Sequence, residues 1–396
     1  MLEQQHVRLI ATAGIALAIF CVVSFLAPPT AEAVPAWARK YGIECEACHT
    51  AWPSLNAYGR DFKIAGYKIP DELEILDEYS DVISDFLAVD KSFPISAVFK
   101  MRPYDKKKDK RARIRAGHES EVIIGGSVNK NFSVWVEFEA EDEFDNFEIR
   151  LEQLTAAWNP SPEGNLVMGY GPVFWADPYD TLADGGRRMT RNHKGPLSAK
   201  GPANQRLRGN SQWVGAYGKF AERVFYTAGV SAGNNELEGD DAADFFGRVM
   251  VDVTPEIMVG GYILDGTNDT GSAVEWDFKR YGFDAQVEMG DFKAYGMYMS
   301  LKDTPTNVAT TVGGPLEFTQ NLGYVEALYV FRPSGFPMIV PVARIDFLDE
   351  YTDLTANVQF YVRQNIKAFA EYWANLSVPS GKDKNNRFVI QIELAF

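Results

Sequence analysis

The chain has 396 residues, a formal net charge of −15 and a mean hydropathy of −0.20. So acidic a surface repels a phosphate backbone, which excludes nucleic acid as a partner and favours cations and basic proteins. Three cysteines are too few for a disulfide framework, and after residue 33 no apolar run is long enough for a membrane helix.

Residues 1–33 read as a secretory signal peptide: Arg8 in the n-region, an apolar run from Leu9 to Ala27, a Pro28-Pro29 stop and an Ala31-Glu32-Ala33 cleavage site. Cleavage after Ala33 starts the mature chain at Val34. It removes Cys21, Arg8, Glu3 and Glu32, leaving a formal charge of −14.

Residues 34–70 surround the run Cys45-Glu46-Ala47-Cys48-His49. In an exported chain this spacing predicts one covalently bound haem c: the two thiols add across the vinyl groups and His49 coordinates the iron on the proximal side. A local disulfide, a thioredoxin-like redox pair and half of a zinc site could use the same residues, but each lacks company. No second CxxC follows, only His118 and His193 remain as further histidines, and no alternating α/β pattern frames the motif. Trp37 and Tyr41, then Leu55, Tyr58 and Phe62 after Pro53, recur at helical spacing and predict short helices whose aromatic faces cover the haem. So short a segment cannot build a core unaided, and the macrocycle or a surrounding wall must complete it. His49 is the only His or Met between Val34 and Lys100, so a sixth iron ligand has to come from elsewhere. The candidates are Met101, His118, Met189 and His193, with His193 and Met189 favoured because a long loop can carry them inward.

Residues 71–92 form an acidic connector, in which Leu73, Leu76, Ile83 and Phe86-Leu87 are spaced as on an amphipathic helix. From residue 93 to 396 the texture changes to short alternating runs separated by turn residues, about 16 in number, the signature of an all-β transmembrane barrel of antiparallel strands. In Leu354 to Val362 the alternation assigns Leu354, Ala356, Val358, Phe360 and Val362 to lipid, and Thr355, Asn357, Gln359 and Tyr361 to the lumen. Arg387 to Phe396 alternates as strictly and ends the chain on an aromatic residue, as a closing strand does. Short links near 128–131, 219–223, 253–256, 288–291 and 363–365 interleave with longer ones near 103–117, 141–146, 174–209, 233–242, 265–274, 302–320 and 377–385. The longest link, Phe174 to Gly209, is rich in Arg and Lys and either folds inward or faces lipopolysaccharide phosphates.

Ala33-Val34-Pro35-Ala36-Trp37-Ala38-Arg39-Lys40-Tyr41-Gly42, the CxxCH, and Trp52-Pro53-Ser54-Leu55-Asn56-Ala57-Tyr58-Gly59-Arg60 together resemble the fused outer-membrane cytochrome-porins of iron-oxidising bacteria. The resemblance implies an outer-membrane oxidoreductase that oxidises extracellular Fe(II) and passes the electron through one haem to a periplasmic cytochrome or other carrier. It carries over Cys45 and Cys48 as haem attachment and His49 as proximal ligand, but assigns no iron-contact residue. The haem segment would sit in the barrel lumen or at its periplasmic mouth. External carboxylates such as Glu141, Asp142, Glu143, Asp240, Asp241, Asp349 and Glu350 would then attract Fe(II). Two other functions fit the same architecture: a transport porin plugged or gated by its haem segment, and a conduit running electrons outward to an external acceptor.

Overall fold

The computed structural model describes residues 36–69, 80–84, 87–90, 95–129, 131–142, 147–182, 196–233, 243–269, 275–306, 317–333 and 335–396. The N-terminal segment folds as α1 (Ala36–Tyr41), a 3-10 turn (Cys45–Ala47), a minimal hairpin β1 (His49–Ala51) and β2 (Ser54–Leu55), and α2 (Ala57–Ile64). A second hairpin, β3 (Ser80–Ser84) and β4 (Leu87–Asp90), follows. Over these residues this corrects the amphipathic helix expected for the connector, whose first part with Leu73 and Leu76 lies outside the described residues: Val82 and Val89 favour extended backbone, and β4 lies beside the barrel strand that begins at Arg113.

Sixteen antiparallel strands then close into a barrel: β5 (Ile95–Lys107), β6 (Arg113–Asn129), β7 (Phe132–Glu141), β8 (Arg150–Ser161), β9 (Gly164–Pro172), β10 (Asn210–Phe220), β11 (Val224–Ser231), β12 (Asp244–Thr254), β13 (Ile257–Asp269), β14 (Glu275–Met289), β15 (Phe292–Pro305), β16 (Phe318–Tyr329), β17 (Met338–Leu348), β18 (Tyr351–Arg363), β19 (Ile366–Ser377) and β20 (Asn386–Ala395). Each pairs with its sequence neighbours, and β20 seals against β5. Closure leaves no unpaired sheet edge, which is what hydrocarbon surroundings demand.

The two faces invert the soluble pattern. On β17, Ile339, Ile345 and Phe347 are exposed while Arg344 and Asp346 are buried, paired at 2.6 Å. On β18, Asp353, Thr355, Asn357, Gln359 and Tyr361 are buried and Val358 is exposed, as the alternation predicts; Val362, assigned to lipid, is instead buried, because the register shifts between Tyr361 and Arg363 at the strand's end. An apolar outside and a polar, ion-paired inside identify a transmembrane barrel.

Link lengths mostly alternate as expected, with differences of physical origin. The expected link at 103–117 shrinks to 108–112 because Asp105 binds Arg113 at 2.7 Å and Arg387 at 2.8 Å, extending the strands on charged pairs. Asp349 and Glu350 form a tight turn between β17 and β18 at the long-loop end, both exposed.

The segment with α1 and α2 occupies the short-turn end of the lumen. Residues near that rim hold it: Ser96 accepts from the Ala36 amide at 2.8 Å, Ser127 from Lys40 at 3.1 Å and Gln364 from the Cys45 amide at 2.5 Å, while Lys219 donates to Asp61 of α2 at 3.1 Å. Part of the long link folds inward to meet it. Asp177 and Thr181 of that link hold Arg248 of β12, and the Asp177 carbonyl accepts from Lys63 of α2 at 2.9 Å.

Candidate functional site

The CxxCH turn is shaped locally before the barrel touches it. Cys45 and Cys48 flank a single 3-10 turn closed by Cys48 N–H donating to the Cys45 carbonyl at 3.2 Å. Asn56 ties this turn to α2: its Nδ2 donates to the Glu46 and Ala47 carbonyls at 3.2 and 3.0 Å, and its Oδ1 caps α2 by accepting from Gly59 N–H at 2.9 Å. Gly59 lets the two elements touch, since a Cβ there would sit 2.1 Å from the Cys48 carbonyl oxygen. Asn56 and Gly59 lie in the motif run, but their roles depend on a contact between separate elements that spacing does not reveal. Gly59→Ala is therefore expected to push α2 off the turn. The check is haem attached per chain, which should fall several-fold while the barrel's heat-modifiable gel migration persists.

His49 is poised as a ligand. Its Nδ1 lies 3.0 Å from the Pro53 carbonyl, which only accepts, so Nδ1 carries the proton and Nε2 keeps its lone pair. Burial lowers the imidazole pKa to about 4 against the opposing pull of the Pro53 carbonyl, so the ring is neutral at physiological pH. Cys45 and Cys48 are free thiols, and burial pushes both up to about 11. That is the reverse of the depressed thiol of a redox-active CxxC pair. Two adjacent thiols, and an imidazole fixed by a backbone carbonyl with Nε2 available, form a donor set that fits a c-type haem.

The barrel wall clamps the turn that follows. Glu288 of β14 accepts from Thr50 at 3.1 Å and pairs with Arg60 at 2.8 Å and Lys293 at 3.3 Å. Lys293 donates to the Leu55 carbonyl at 2.6 Å, Arg332 to the Thr50 carbonyl at 2.7 Å, and Tyr361 to the Trp52 carbonyl at 2.6 Å. Lys367 sits 4.2 Å above the Trp52 ring.

The aromatic residues expected to cover the haem pack first on each other and on the wall. Trp37 stacks on Tyr67 at 4.6 Å, Phe62 meets Trp37 edge-on at 5.5 Å, and Trp135 of β7 closes the cluster. Tyr41 joins it, while Tyr58 stays exposed. The small segment thus borrows its core from the barrel.

The candidates for a sixth ligand separate clearly. Met101 stands opposite Ile392 across the seam, and opposed residues share a face, so it points to lipid with Ile392. His118 is buried near the other end of β6, nine residues from Ser127, about 30 Å along a strand, and its Nδ1 is engaged by Asp142 at 2.9 Å. Met189 and His193 lie outside the described residues, as do Glu143, Asp240 and Asp241 of the external carboxylates.

Fold and site together define a plugged, 16-stranded barrel of the porin type. Among solved structures the chain is similar to Salmonella typhi OmpF in complex with daunomycin, with a TM-score of 0.57 and 10% identity over 77% of this chain and 98% of that one. It is also similar to OmpTdeltaL8, a loop-deletion mutant of the Vibrio cholerae outer-membrane protein OmpT, with a TM-score of 0.55 and 13% identity over 76% and 98%. A third is the anion-selective porin from Comamonas acidovorans, at 0.52 and 11% over 76% and 98%. No protein family and no curated protein matches the sequence. At these identities the likeness establishes the fold alone.

Proposed function

We propose that the chain is an outer-membrane cytochrome-porin that takes electrons from extracellular Fe(II) and delivers them to a periplasmic electron carrier. The observation that carries this reading is the CxxCH turn held inside the barrel rim, with the His49 Nδ1–H fixed on the Pro53 carbonyl so that Nε2 carries the lone pair. Cys45 and Cys48 would hold the haem and His49 would ligate its iron. Bound there, a haem c supplies reversible one-electron chemistry, which suits Fe(II) oxidation without atom transfer. Glu288, Lys293, Arg332 and Tyr361 fix the turn against the wall, so the donor set is positioned by the barrel rather than by a self-sufficient domain. The short-turn end faces the periplasm in this reading, which puts the Cys45 and Gln364 rim within reach of a soluble carrier.

The test is to purify the haem-loaded protein in detergent, add Fe(II) under argon and follow haem absorbance. Reduction within the mixing time scale, lost on His49→Ala, is the expected result. A haem that stays oxidised under Fe(II) but yields to a generic reductant refutes Fe(II) as donor.

A transport porin is the second reading, favoured by the porin neighbours, one of them anion-selective. The inward packing of α1, α2 and the Asp177–Thr181 stretch opposes it, because these elements occupy lumen that a solute needs. Proteoliposomes loaded with small sugars or anions decide between the two: steady flux supports transport, and retention supports a sealed conduit.

A further inference from the structure

At the long-loop end of the wall, β6 and β7 place carboxylates in directly opposed pairs, Glu119 with Glu141 and Glu121 with Glu139. Opposed like charges destabilise a sheet, and Lys100, bonded to both Glu119 and Glu121, offsets part of that repulsion. His118 lies beside the outer pair and is 2% exposed. Its Nδ1 is 2.9 Å from Asp142 Oδ1, and Asp142 is also gripped by Arg115, which keeps it ionised and able only to accept. Nδ1 therefore carries the proton, and Nε2 presents a lone pair.

That lone pair faces Glu119 Oε2 at 3.5 Å, acceptor against acceptor. Lys100 binds the other oxygen of Glu119, Oε1, so Oε2 is the one turned to the histidine. One nitrogen of His118 and one oxygen each of Glu119 and Glu141 lie within 4.8 Å of one another. A carboxylate fixing one ring nitrogen while the other aims at further carboxylates is the second-shell arrangement of metal-bound histidine. A cation about 2.1 Å from each donor needs only small side-chain closure.

We propose that His118, Glu119 and Glu141 bind a divalent first-row transition-metal cation at the long-loop mouth of the barrel. One imidazole with two carboxylates prefers such ions over Mg(II) and Ca(II), which favour all-oxygen sets. The site stands on wall geometry; its use as the docking point for Fe(II) rests on the function proposed above.

The probe is Mn(II), titrated under argon into the full haem-loaded chain and followed by electron paramagnetic resonance. The expected result is one bound Mn(II) per chain with nitrogen-14 coupling from a single imidazole. His118→Gln should abolish that coupling, and Glu141→Gln should weaken binding at least tenfold, both with normal heat-modifiable migration. Absence of stoichiometric Mn(II), or binding unchanged in both variants, overturns the proposal. If His118→Gln does not fold, the affinity of Glu141→Gln decides alone. Mn(II) binding needs no haem chemistry, so intact binding with failed Fe(II) reduction would remove the iron-oxidation reading and leave the site. Intact Fe(II) reduction without Mn(II) binding would do the opposite.

Discussion

A Cys45→Ser, Cys48→Ser double variant, exported in a host with haem-attachment machinery, is expected to carry no haem that survives denaturing electrophoresis. In the proposed function the covalent link would be thioether bonds at these two residues, which are free thiols at the two ends of one 3-10 turn. His49→Ala separates attachment from ligation: the haem stays bound through sulfur, but the proximal nitrogen is gone and the Soret band shifts. Haem staining on a gel reads the first effect and absorbance the second. Staining that persists in the double variant would show that the motif is not the attachment point. The barrel itself should be indifferent, because closure runs from β5 to β20 without these residues.

Glu288→Ala is expected to be the most damaging single change in the wall. It leaves Arg60, 3% exposed, and the fully buried Lys293 without the carboxylate they share, and removes the acceptor for Thr50. Breaking a buried ion pair by removing one partner costs about 3–5 kcal/mol. That loss falls on the contact between plug and wall, not on the strand ladder. The plug should therefore become protease-sensitive while the barrel survives, and planar bilayers should show transient openings absent from the parent. Glu288→Gln, which keeps an acceptor for Thr50 but loses the charge, should lie between. Equal protease resistance in all three proteins would mean that the clamp contributes nothing.

How much of this was legible beforehand depends on the range of the interaction. Strand faces were readable because side chains alternate with period two, and Thr355, Asn357, Gln359 and Tyr361 fall inside as that period requires. The donors Cys45, Cys48 and His49 were readable because they are adjacent. The Pro53 carbonyl, four residues from His49, was within local reach but has no side-chain signature. Glu288, Lys293, Arg332 and Tyr361 were not readable, since only barrel closure brings them to a turn more than 230 residues away. The connector misled because Leu73, Leu76, Ile83 and Phe86 suit a helix by spacing, whereas a short hairpin occupies its second half.

The enclosure of α1 and α2 sets an order of events during biogenesis. The Ala36 amide is bonded to Ser96, one residue into β5, and β5 is the strand that β20 must find to close the barrel. Once that seam zips, the segment is held inside the rim with Cys45 and Cys48 only partly exposed, and a modifying enzyme finds less of the turn to grip than on the extended chain. Modification of those thiols is therefore easiest on the unfolded chain, before insertion. The seam itself uses none of these residues, so defects in modification should surface as closed but empty barrels rather than as stalled insertion.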